Sequence, residues 1–301
     1  MKILVIGLGG VGGYIGSCLE KSNFKTTYLC RGNRLSFIKK NGLIINSMNK
    51  KKKFFNLDVR DYLTTSESFD IIINTVKLYD FDSVLNEVLQ KIKKNFIFLP
   101  FQNGIYSEEK IKDTLGLKYT YGAVAQISSV VNYDQEIDHI GKLATFFVGR
   151  YDQKYDEKLD FFCKECQKID LDIRFKTNIK EKIWDKFIFL SAYSGITTLT
   201  EKTIGEIFET PELKKKFIDA MNETYKLSKS YGINFQSDPV KNWLKKIDKM
   251  PSEMTSSMFH DFKKKKKLEL KWLSGSIVNF SKKKKVDCPT HLEILHEIES
   301  K

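Results

Sequence analysis

Short apolar runs alternate with segments of helical periodicity over the first half of the chain. This alternation predicts an α/β domain built on a parallel, doubly wound sheet. One helical segment covers residues 81–94, and a helix at 155–169 followed by a short strand at 171–175 is expected to close the domain. Residues 136–141 and 143–150 predict a hairpin on the far side of the sheet. The runs that predict strands are KILVIG, KTTYLC, DIIINTV, NFIFLP and YTYGAVAQISSVV.

A glycine-rich turn joins the first predicted strand to the first predicted helix. In GLGGVGG, Gly7, Gly9 and Gly12 have the spacing GxGxxG. The first glycine permits the turn, the second lets the backbone approach a pyrophosphate, and the third lets helix and strand pack closely. Free N–H groups at the helix start would face the phosphates. A dinucleotide site is therefore predicted, the alternative being a simple strand–helix turn, at Gly7, Leu8, Gly9, Gly10, Val11 and Gly12.

The residues after the second strand indicate which dinucleotide binds. A site that prefers NAD places an acidic residue there, against the ribose 2′-hydroxyl. In this chain the sequence is CRGNR, and Arg31, with Arg34 nearby, would instead meet a 2′-phosphate through a planar guanidinium fork. The predicted cofactor is NADP(H), although an arginine after a strand can also be an ordinary surface residue.

From about residue 178 the periodicity is helical almost throughout, and 301 residues are enough for two domains. We predict a Rossmann-like domain over residues 1–176 and an all-helical domain over residues 177–301, with the substrate in the cleft between them. In the first domain Lys77 and Asn103 directly follow strands, at the edge where open α/β sheets bind ligands. Helices of the second domain are expected at 180–194, 203–231, 237–248, 254–278 and 290–300.

The net charge of +13 lies largely in three lysine runs, at 50–53, 263–267 and 282–285. These runs have almost no arginine and no interleaved aromatic residues, and they lie beside predicted turns. A nucleic-acid partner is therefore not favoured, and a general attraction for anionic ligands is the safer inference.

Cysteines, histidines and hydropathy exclude several classes of protein. The odd, scattered set of five cysteines is not a disulfide framework, and the pair in CKEC (163–166) lies in a helical segment without further metal ligands. The four histidines are too dispersed to predict a metal site. No run approaches the roughly 20 apolar residues that cross a bilayer, and the first residues do not resemble a secretion signal. We expect a cytoplasmic protein without a membrane association, monomeric or homodimeric.

Lys186 stands out in the segment IWDKFIFLSAY, which otherwise reads as a buried helix. A lysine is rarely buried without a reason. Either its stem lies along apolar surface while the ammonium reaches water, or the ammonium is required inside a cleft.

Several motifs, in order, are similar to those of the ketopantoate reductases (2-dehydropantoate 2-reductases). They span essentially the whole chain: GLGGVGG, QNG (102–104), HIGKLATFFVGR, NIKEKIWDKF, SSMFHDF (256–262), LELKWLSG (268–275) and PTHLEIL. The resemblance implies an NADPH-dependent reduction of a 2-oxo acid, with Lys186 as the proton donor. It implies that Glu269 tunes and orients that lysine and that Ser257 binds the substrate carboxylate. The positions it matches to cofactor contacts are Asn103, which also meets the substrate, Lys77, Ser128 and Glu269.

The chain departs from the family pattern on the helix that carries Lys186. Two asparagines of the family, four and eight residues after the lysine, are replaced by Leu190 and Ser194. Leucine cannot hydrogen-bond a substrate hydroxyl, and serine could do so only with a shorter reach. The expected reaction is 2-dehydropantoate to (R)-pantoate, in pantothenate and coenzyme A biosynthesis. The alternatives are reduction of a different 2-oxo acid and a non-catalytic NADP(H) sensor, which would not need Lys186, Ser257 and Glu269 together.

Overall fold

The computed structural model describes residues 1–93 and 95–301. Its strands, in chain order, are β1 (Lys2–Ile6), β2 (Lys25–Leu29), β3 (Leu43–Ser47), β4 (Lys50–Phe54), β5 (Asp58–Arg60), β6 (Ile71–Asn74), β7 (Ile97–Pro100), β8 (Tyr121–Val131), β9 (Ile137–Arg150) and β10 (Asp172–Phe175).

The α-helices follow the same order. They are α1 (Gly10–Leu19), α2 (Gly32–Asn41), α3 (Leu78–Lys91), α4 (Tyr106–Leu115), α5 (Glu157–Gln167), α6 (Ile179–Thr200), α7 (Ile204–Glu209), α8 (Pro211–Ser230), α9 (Pro239–Ile247), α10 (Ser257–Lys263), α11 (Ser274–Lys284) and α12 (Pro289–Glu299). No helix among the described residues is long and apolar enough to span a bilayer. The predicted helix over 81–94 corresponds to α3, and its predicted last residue lies outside the described residues.

A parallel sheet has the strand order β5-β2-β1-β6-β7. The four-residue apolar stretch of β1 and all of β6 and β7 are buried, as expected for strands covered on both faces. The chain moves outward from β1 to β2 and later returns to β6 on the other side of β1. The carboxyl ends of β1 and β6 therefore meet where the strand order reverses, the usual ligand position in such sheets.

A second, mixed sheet has the order β10-β9-β3-β4, with β8 antiparallel to β9. The prediction that 119–131 continues the parallel sheet is therefore wrong. The predicted hairpin is also wrong, because 137–141 and 143–150 both belong to the single strand β9. Gly141, with φ of +76°, and its neighbours form a bulge, since Ile127 pairs with Ala144 and the next residue, Ser128, pairs with Ile140.

The lysine run at 50–53 directly follows a turn at residues 48–49 and forms most of β4, which is an edge of the second sheet. Charged side chains on an edge strand disfavour pairing with a strand from another molecule. The run at 263–267 begins at the last residue of α10, and the run at 282–285 ends α11, as expected for residues beside turns.

The chain forms two compact units, each defined by the contacts among its own residues. One comprises Met1–Gln102 and Ser107–Ile179, and the other comprises Asn103–Tyr106 and Lys180–Lys301. In the helical unit, two predicted helices are broken. The segment 203–231 divides before Pro211, which lacks the N–H needed to continue α7. The segment 254–278 divides after α10, where Lys265 has a φ of +52°.

The cysteine pair of CKEC lies on the buried side of α5. Cys163 and Cys166 are free thiols, and both side chains are almost fully buried. Burial raises the pKa of Cys163 to about 12 and raises that of Cys166 as well. Because the reactive form of cysteine is the thiolate, this pair is part of the core rather than a redox motif.

Candidate active site

The glycine turn begins where β1 ends. Gly7 has a φ of +88°, a conformation that disfavours other residues, and its N–H donates to Leu29 O of β2 at 2.9 Å. A Cβ on Gly7 would lie 3.0 Å from the backbone nitrogen of Val76, just after β6. The turn is therefore fitted against both neighbouring strands, at the reversal of strand order.

The other glycines of the turn have different environments. A Cβ on Gly12 would lie 1.9 Å from Gly7 O and 2.2 Å from Thr75 Oγ1, so only glycine allows this approach of helix to strand. A Cβ on Gly10 would lie 2.2 Å from Ser129 O of β8. Gly9 instead has nothing within 4 Å of that position, which leaves open space before the start of α1. This arrangement fits the pyrophosphate of a dinucleotide, since α1 begins with glycine and no side chain caps it.

Thr75 supports the glycine turn, although the sequence alone did not point to this residue. Its hydroxyl donates to Gly7 O at 2.6 Å and is 3.1 Å from Ile6 O, which fixes the carbonyl of the first glycine. The signal was a hydroxyl residue directly after an apolar strand. Lys77, two residues later, is the N-cap residue of α3 and is partly exposed at the same edge of the sheet.

Ser128 and its neighbour face differently. The side chain of Ser128 is exposed, whereas Ser129 lies against Gly10. The Ser129 hydroxyl is buried without a hydrogen-bond partner among the described residues. Spacing along an alternating strand could not decide which serine meets the glycine turn, because the bulge in β9 begins opposite this pair.

Arg34 lies against the glycine turn, and Arg31 lies farther out. Arg34 Nε donates to Leu8 O at 2.7 Å and its Nη1 donates to Gln135 O, while its Nη2 is buried without a partner among the described residues. Burial lowers the pKa of Arg34. Arg31 is more than half exposed and pairs with Glu87 of α3. Together with the open space at Gly9, the orphaned guanidinium nitrogen fits a site that binds the phosphates of a dinucleotide.

In the helical unit, the structure brings Lys186 and Asn103 together. Lys186 Nζ, on α6, donates to Asn103 Oδ1 at 2.8 Å. Asn103 follows β7 by three residues, and next to it Gly104 has a φ of +89° and packs against the Phe187 ring. The lysine is only partly buried, and its ammonium is oriented by an amide oxygen. An amide oxygen orients the ammonium without neutralising its charge.

Glu269 lies in the same unit, at the start of a short 3₁₀ turn. Its side chain is buried, and its carbonyl accepts from Trp272 N at 2.9 Å. A Cβ on Gly104 would lie 3.5 Å from Trp272 O, so the Asn103–Gly104 segment packs on the turn that Glu269 begins. Lys186 and Glu269 thus both belong to elements that contact this segment.

Apart from Asn103, the predicted substrate residues lie on α6 and α10. Leu190 is partly exposed and Ser194 is buried. Ser257, the first residue of α10, is exposed, while Ser256 caps that helix and hydrogen-bonds Thr197 of α6 at 2.7 Å. Ser256 therefore fixes the start of α10 against α6, and Ser257 is presented at the helix start.

Tyr193 is a further candidate site residue on α6, and the sequence did not indicate it as one. Seven residues after Lys186, it lies about 20° from the lysine around the helix, closer than Ser194. Its hydroxyl is buried without a hydrogen-bond partner among the described residues, and burial raises its pKa. The signal, a repeat at seven residues, was hidden by the many aromatic residues of this helix.

Residues 3–153 match the model of a family described as Ketopantoate reductase PanE/ApbA, and residues 178–301 match that of its C-terminal part. The chain belongs to the ketopantoate reductase family. The family and the fold class predicted from the sequence are thereby confirmed. Ketopantoate reductases are oxidoreductases, and so is this chain.

Individual ketopantoate reductase relatives match over nearly the whole chain. It is 26% identical over 289 residues to the Bacillus subtilis protein named Uncharacterized oxidoreductase YkpB, covering 96% of this chain and 95% of that one. It is 26% identical over 292 residues to the 2-dehydropantoate 2-reductase of Pyrococcus horikoshii, covering 96% and 93%.

Solved structures share the fold of this ketopantoate reductase family member. The 2-dehydropantoate 2-reductase of Geobacter metallireducens GS-15 matches with a TM-score of 0.89 at 20% identity, over 100% of this chain and 99% of that one. A D-mandelate dehydrogenase solved with NADH and anilino(oxo)acetate matches with a TM-score of 0.88 at 20% identity, over 100% and 98%.

Proposed function

We propose that this chain reduces a 2-oxo acid with NADPH, converting 2-dehydropantoate to (R)-pantoate in pantothenate and coenzyme A biosynthesis. The observation that carries the proposal is the hydrogen bond of 2.8 Å between Lys186 Nζ and Asn103 Oδ1. The ammonium of this family member is thereby oriented by the Asn103–Gly104 segment, which also packs on the turn that carries the buried carboxylate of Glu269.

Lys186 would act on the ketone oxygen of the substrate. When bound, the nicotinamide supplies a hydride to the carbonyl carbon. Negative charge then develops on the oxygen, and the Lys186 ammonium stabilises that charge and donates a proton to it. Asn103 holds the ammonium in position through its amide oxygen. Glu269 would orient the lysine and contact ligand, and Ser257 at the start of α10 would bind the substrate carboxylate, with Ser194 a shorter polar contact on α6.

The decisive experiment follows NADPH absorbance with a panel of 2-oxo acids. We expect turnover with 2-dehydropantoate to give the highest kcat/KM, and loss of turnover in a Lys186→Met variant. Absence of turnover with every 2-oxo acid, in a protein that binds NADPH, would favour the non-catalytic sensor instead.

The preference for NADPH over NADH rests on Arg31 and on the absence of an acidic residue at the end of β2. A charge-assisted contact to the 2′-phosphate contributes about 1.5–3 kcal/mol, so Arg31→Ala should weaken NADPH binding by roughly ten-fold or more. The Kd of each reduced cofactor can be measured by fluorescence titration. Equal binding of NADPH and NADH by the unmodified protein would contradict the assignment to NADPH.

A second substrate class is favoured by Leu190, which replaces a polar residue of the family by an apolar one. A site without that hydrogen bond loses discrimination in favour of a hydroxylated substrate. Reduction of a 2-oxo acid with an apolar side chain is therefore the second candidate. The same panel separates the two candidates, since a higher kcat/KM for 2-oxo acids that lack the hydroxyl would select the second.

Location and assembly complete the proposal. We place the reaction in the cytoplasm, carried out by a monomer or a homodimer without a nucleic-acid partner. A dimeric ketopantoate reductase from Staphylococcus aureus shares the fold, with a TM-score of 0.83 at 22% identity. Light scattering coupled to size-exclusion chromatography would give the number of subunits.

A further inference from the structure

A carboxylate from α3 lies against the arginine assigned to the 2′-phosphate. Glu87 Oε2 is 2.5 Å from Arg31 Nη2, and the same carboxylate accepts from Lys91 Nζ through Oε1 at 3.1 Å. Arg31 Nε also points to Asp61 O at 3.3 Å. The arginine side chain is 55% exposed and Glu87 is 19% exposed, so the pair is accessible from the Arg31 side.

Glu87 supplies, from α3, an acidic group near the position where the acidic residue after β2 is missing. A site selective for NAD carries an acidic residue there, and this chain has Arg31 instead. In three dimensions, however, an acidic group from a different element reaches the Arg31 guanidinium. A 2′-phosphate that approaches Arg31 must therefore either displace Glu87 or share the guanidinium with it, at the cost of repulsion between two anions.

We propose that Glu87 is a specificity-determining residue that lowers the preference for NADPH over NADH by holding Arg31 in an ion pair. The proposal rests on the proposed function, because it assumes that Arg31 meets the 2′-phosphate. NADH carries a hydroxyl at that position and does not compete for the guanidinium. The carboxylate therefore weakens the binding of NADPH and leaves that of NADH unchanged.

Lys91 determines how readily the pair opens. Burial pushes the pKa of Glu87 up, but hydrogen bonds from Lys91 and Arg31 outweigh burial and hold the pKa below its usual value. Glu87 is therefore ionised at neutral pH. When Arg31 turns to a phosphate, Lys91 still pairs with Glu87, so no carboxylate is left unpaired. Removal of Lys91 should consequently strengthen the hold of Glu87 on Arg31.

The test measures the Kd of NADPH and of NADH by fluorescence titration without substrate. Glu87→Gln should tighten NADPH binding by about three-fold or more and leave NADH within a factor of two, and Lys91→Met should weaken NADPH. Glu165→Gln is the matched control, since Glu165 of α5 pairs at 2.5 Å with Lys168, the residue after that helix, and the substitution should change neither Kd. An unchanged ratio of the two Kd values in Glu87→Gln overturns the proposal. Weaker NADPH binding in that variant also overturns it, because Glu87 would then orient Arg31 for the phosphate.

A double-mutant cycle checks that Glu87 acts through Arg31. In an Arg31→Ala background, Glu87→Gln should no longer change the Kd of NADPH. A persistent effect would contradict the ion-pair mechanism. These binding measurements are independent of turnover, so a protein that reduces no 2-oxo acid would refute the proposed function while the ratio of Kd values still tested Glu87.

Discussion

Lys186 is the proposed proton donor, and its ammonium is oriented by the amide oxygen of Asn103. Replacing it with methionine keeps the apolar stem but removes the proton and the charge. We expect Lys186→Met to reduce kcat by roughly 10²–10⁴-fold, while the Kd of NADPH stays close to that of the unmodified protein. Stopped-flow or steady-state absorbance of NADPH measures the first quantity, and fluorescence titration measures the second.

Lys180→Met on the same helix is the control for that substitution. Lys180 Nζ donates to Tyr231 O at 3.3 Å, on a different side of α6. This variant should keep kcat near normal. If Lys186→Met also kept normal turnover, the lysine would only place its ammonium in water, and the assignment as proton donor would be wrong.

Leu190 is the residue whose change should alter substrate preference. It is partly exposed on α6, one helical turn after Lys186, where the resemblance to the family predicts an asparagine. Leu190→Asn should raise kcat/KM for 2-dehydropantoate relative to 2-oxo acids that lack its hydroxyl. The expected change is up to about ten-fold, because one added hydrogen bond to the substrate hydroxyl contributes a free energy of that size. Competition between the two acids in one assay gives the ratio directly. An unchanged ratio would mean that another wall of the pocket recognises the substrate.

At the scale of elements, two glycines at the junction of β1 and α1 are expected to have different roles. Gly12 is needed for the packing of α1 on β1, whereas Gly9 leaves space for the cofactor. Gly12→Ala would place a methyl group 1.9 Å from Gly7 O, so we expect the protein to lose about 1–3 kcal/mol of stability and to bind NADPH more weakly. Gly9→Ala meets nothing within 4 Å and should leave Tm unchanged. It should nevertheless weaken NADPH binding, because the methyl group occupies the space before α1. Equal Tm values for the two variants would contradict the packing role of Gly12.

Strands β1, β6 and β7 of the parallel sheet were predictable because each contains a continuous buried apolar run. The edge strand β5 was not predicted, because its three residues, DVR, are short and mostly polar. The pairing of β8 with β9 was not, since Gly141 and Lys142 have the composition of a hairpin turn but form a bulge inside one strand. In the candidate site, the order of motifs pointed to Lys186 and Asn103, whose side chains hydrogen-bond in the structure. It could not identify Glu87 or Thr75, because their contacts join segments that are 56 and 68 residues apart in the sequence.

At the scale of the whole molecule, a buried polar network connects four helices of the helical unit. His291 of α12 lies between Thr224 and Ala220 O of α8, each 3.0 Å from Nε2, and Ser274 of α11, 3.3 Å from Nδ1. Thr224 in turn bonds Ser191 of α6 at 3.0 Å. Because Ala220 O can only accept, Nε2 carries a proton. Burial lowers the pKa of the ring, so the imidazole is neutral at pH 7.

This network predicts a loss of stability in mild acid. Complete burial lowers the pKa of His291 from 6.5 to about 4, although the hydrogen bond to Ala220 O acts in the opposite direction. Between these values the unfolded chain binds a proton that the folded protein does not, so stability falls as pH decreases from about 6.5 towards 4. The slope approaches ~1.4 kcal/mol per pH unit.

Urea unfolding of the unmodified protein and of His291→Gln at several pH values checks this prediction. The variant should be the less stable of the two at pH 7, and the difference should shrink between about pH 6 and pH 5, because glutamine does not titrate. The backbone N–H of His291 donates to Glu223 Oε2 at 3.0 Å, and glutamine at position 291 keeps this backbone donor. A constant difference over that range would show that His291 is not protonated on unfolding.

The short segment Asn103–Tyr106 has a consequence for any attempt to cut or recombine this chain. It belongs by its contacts to the helical unit, although the residues on both sides of it belong to the sheet unit. A fragment that starts at Lys180 therefore lacks the amide that meets Lys186 and the glycine that packs on Phe187. A chimera of two reductases joined near residue 179 would likewise place one parent's Asn-Gly segment against the other parent's α6. Successful recombination requires that residues 103–106 and the C-terminal half come from the same parent.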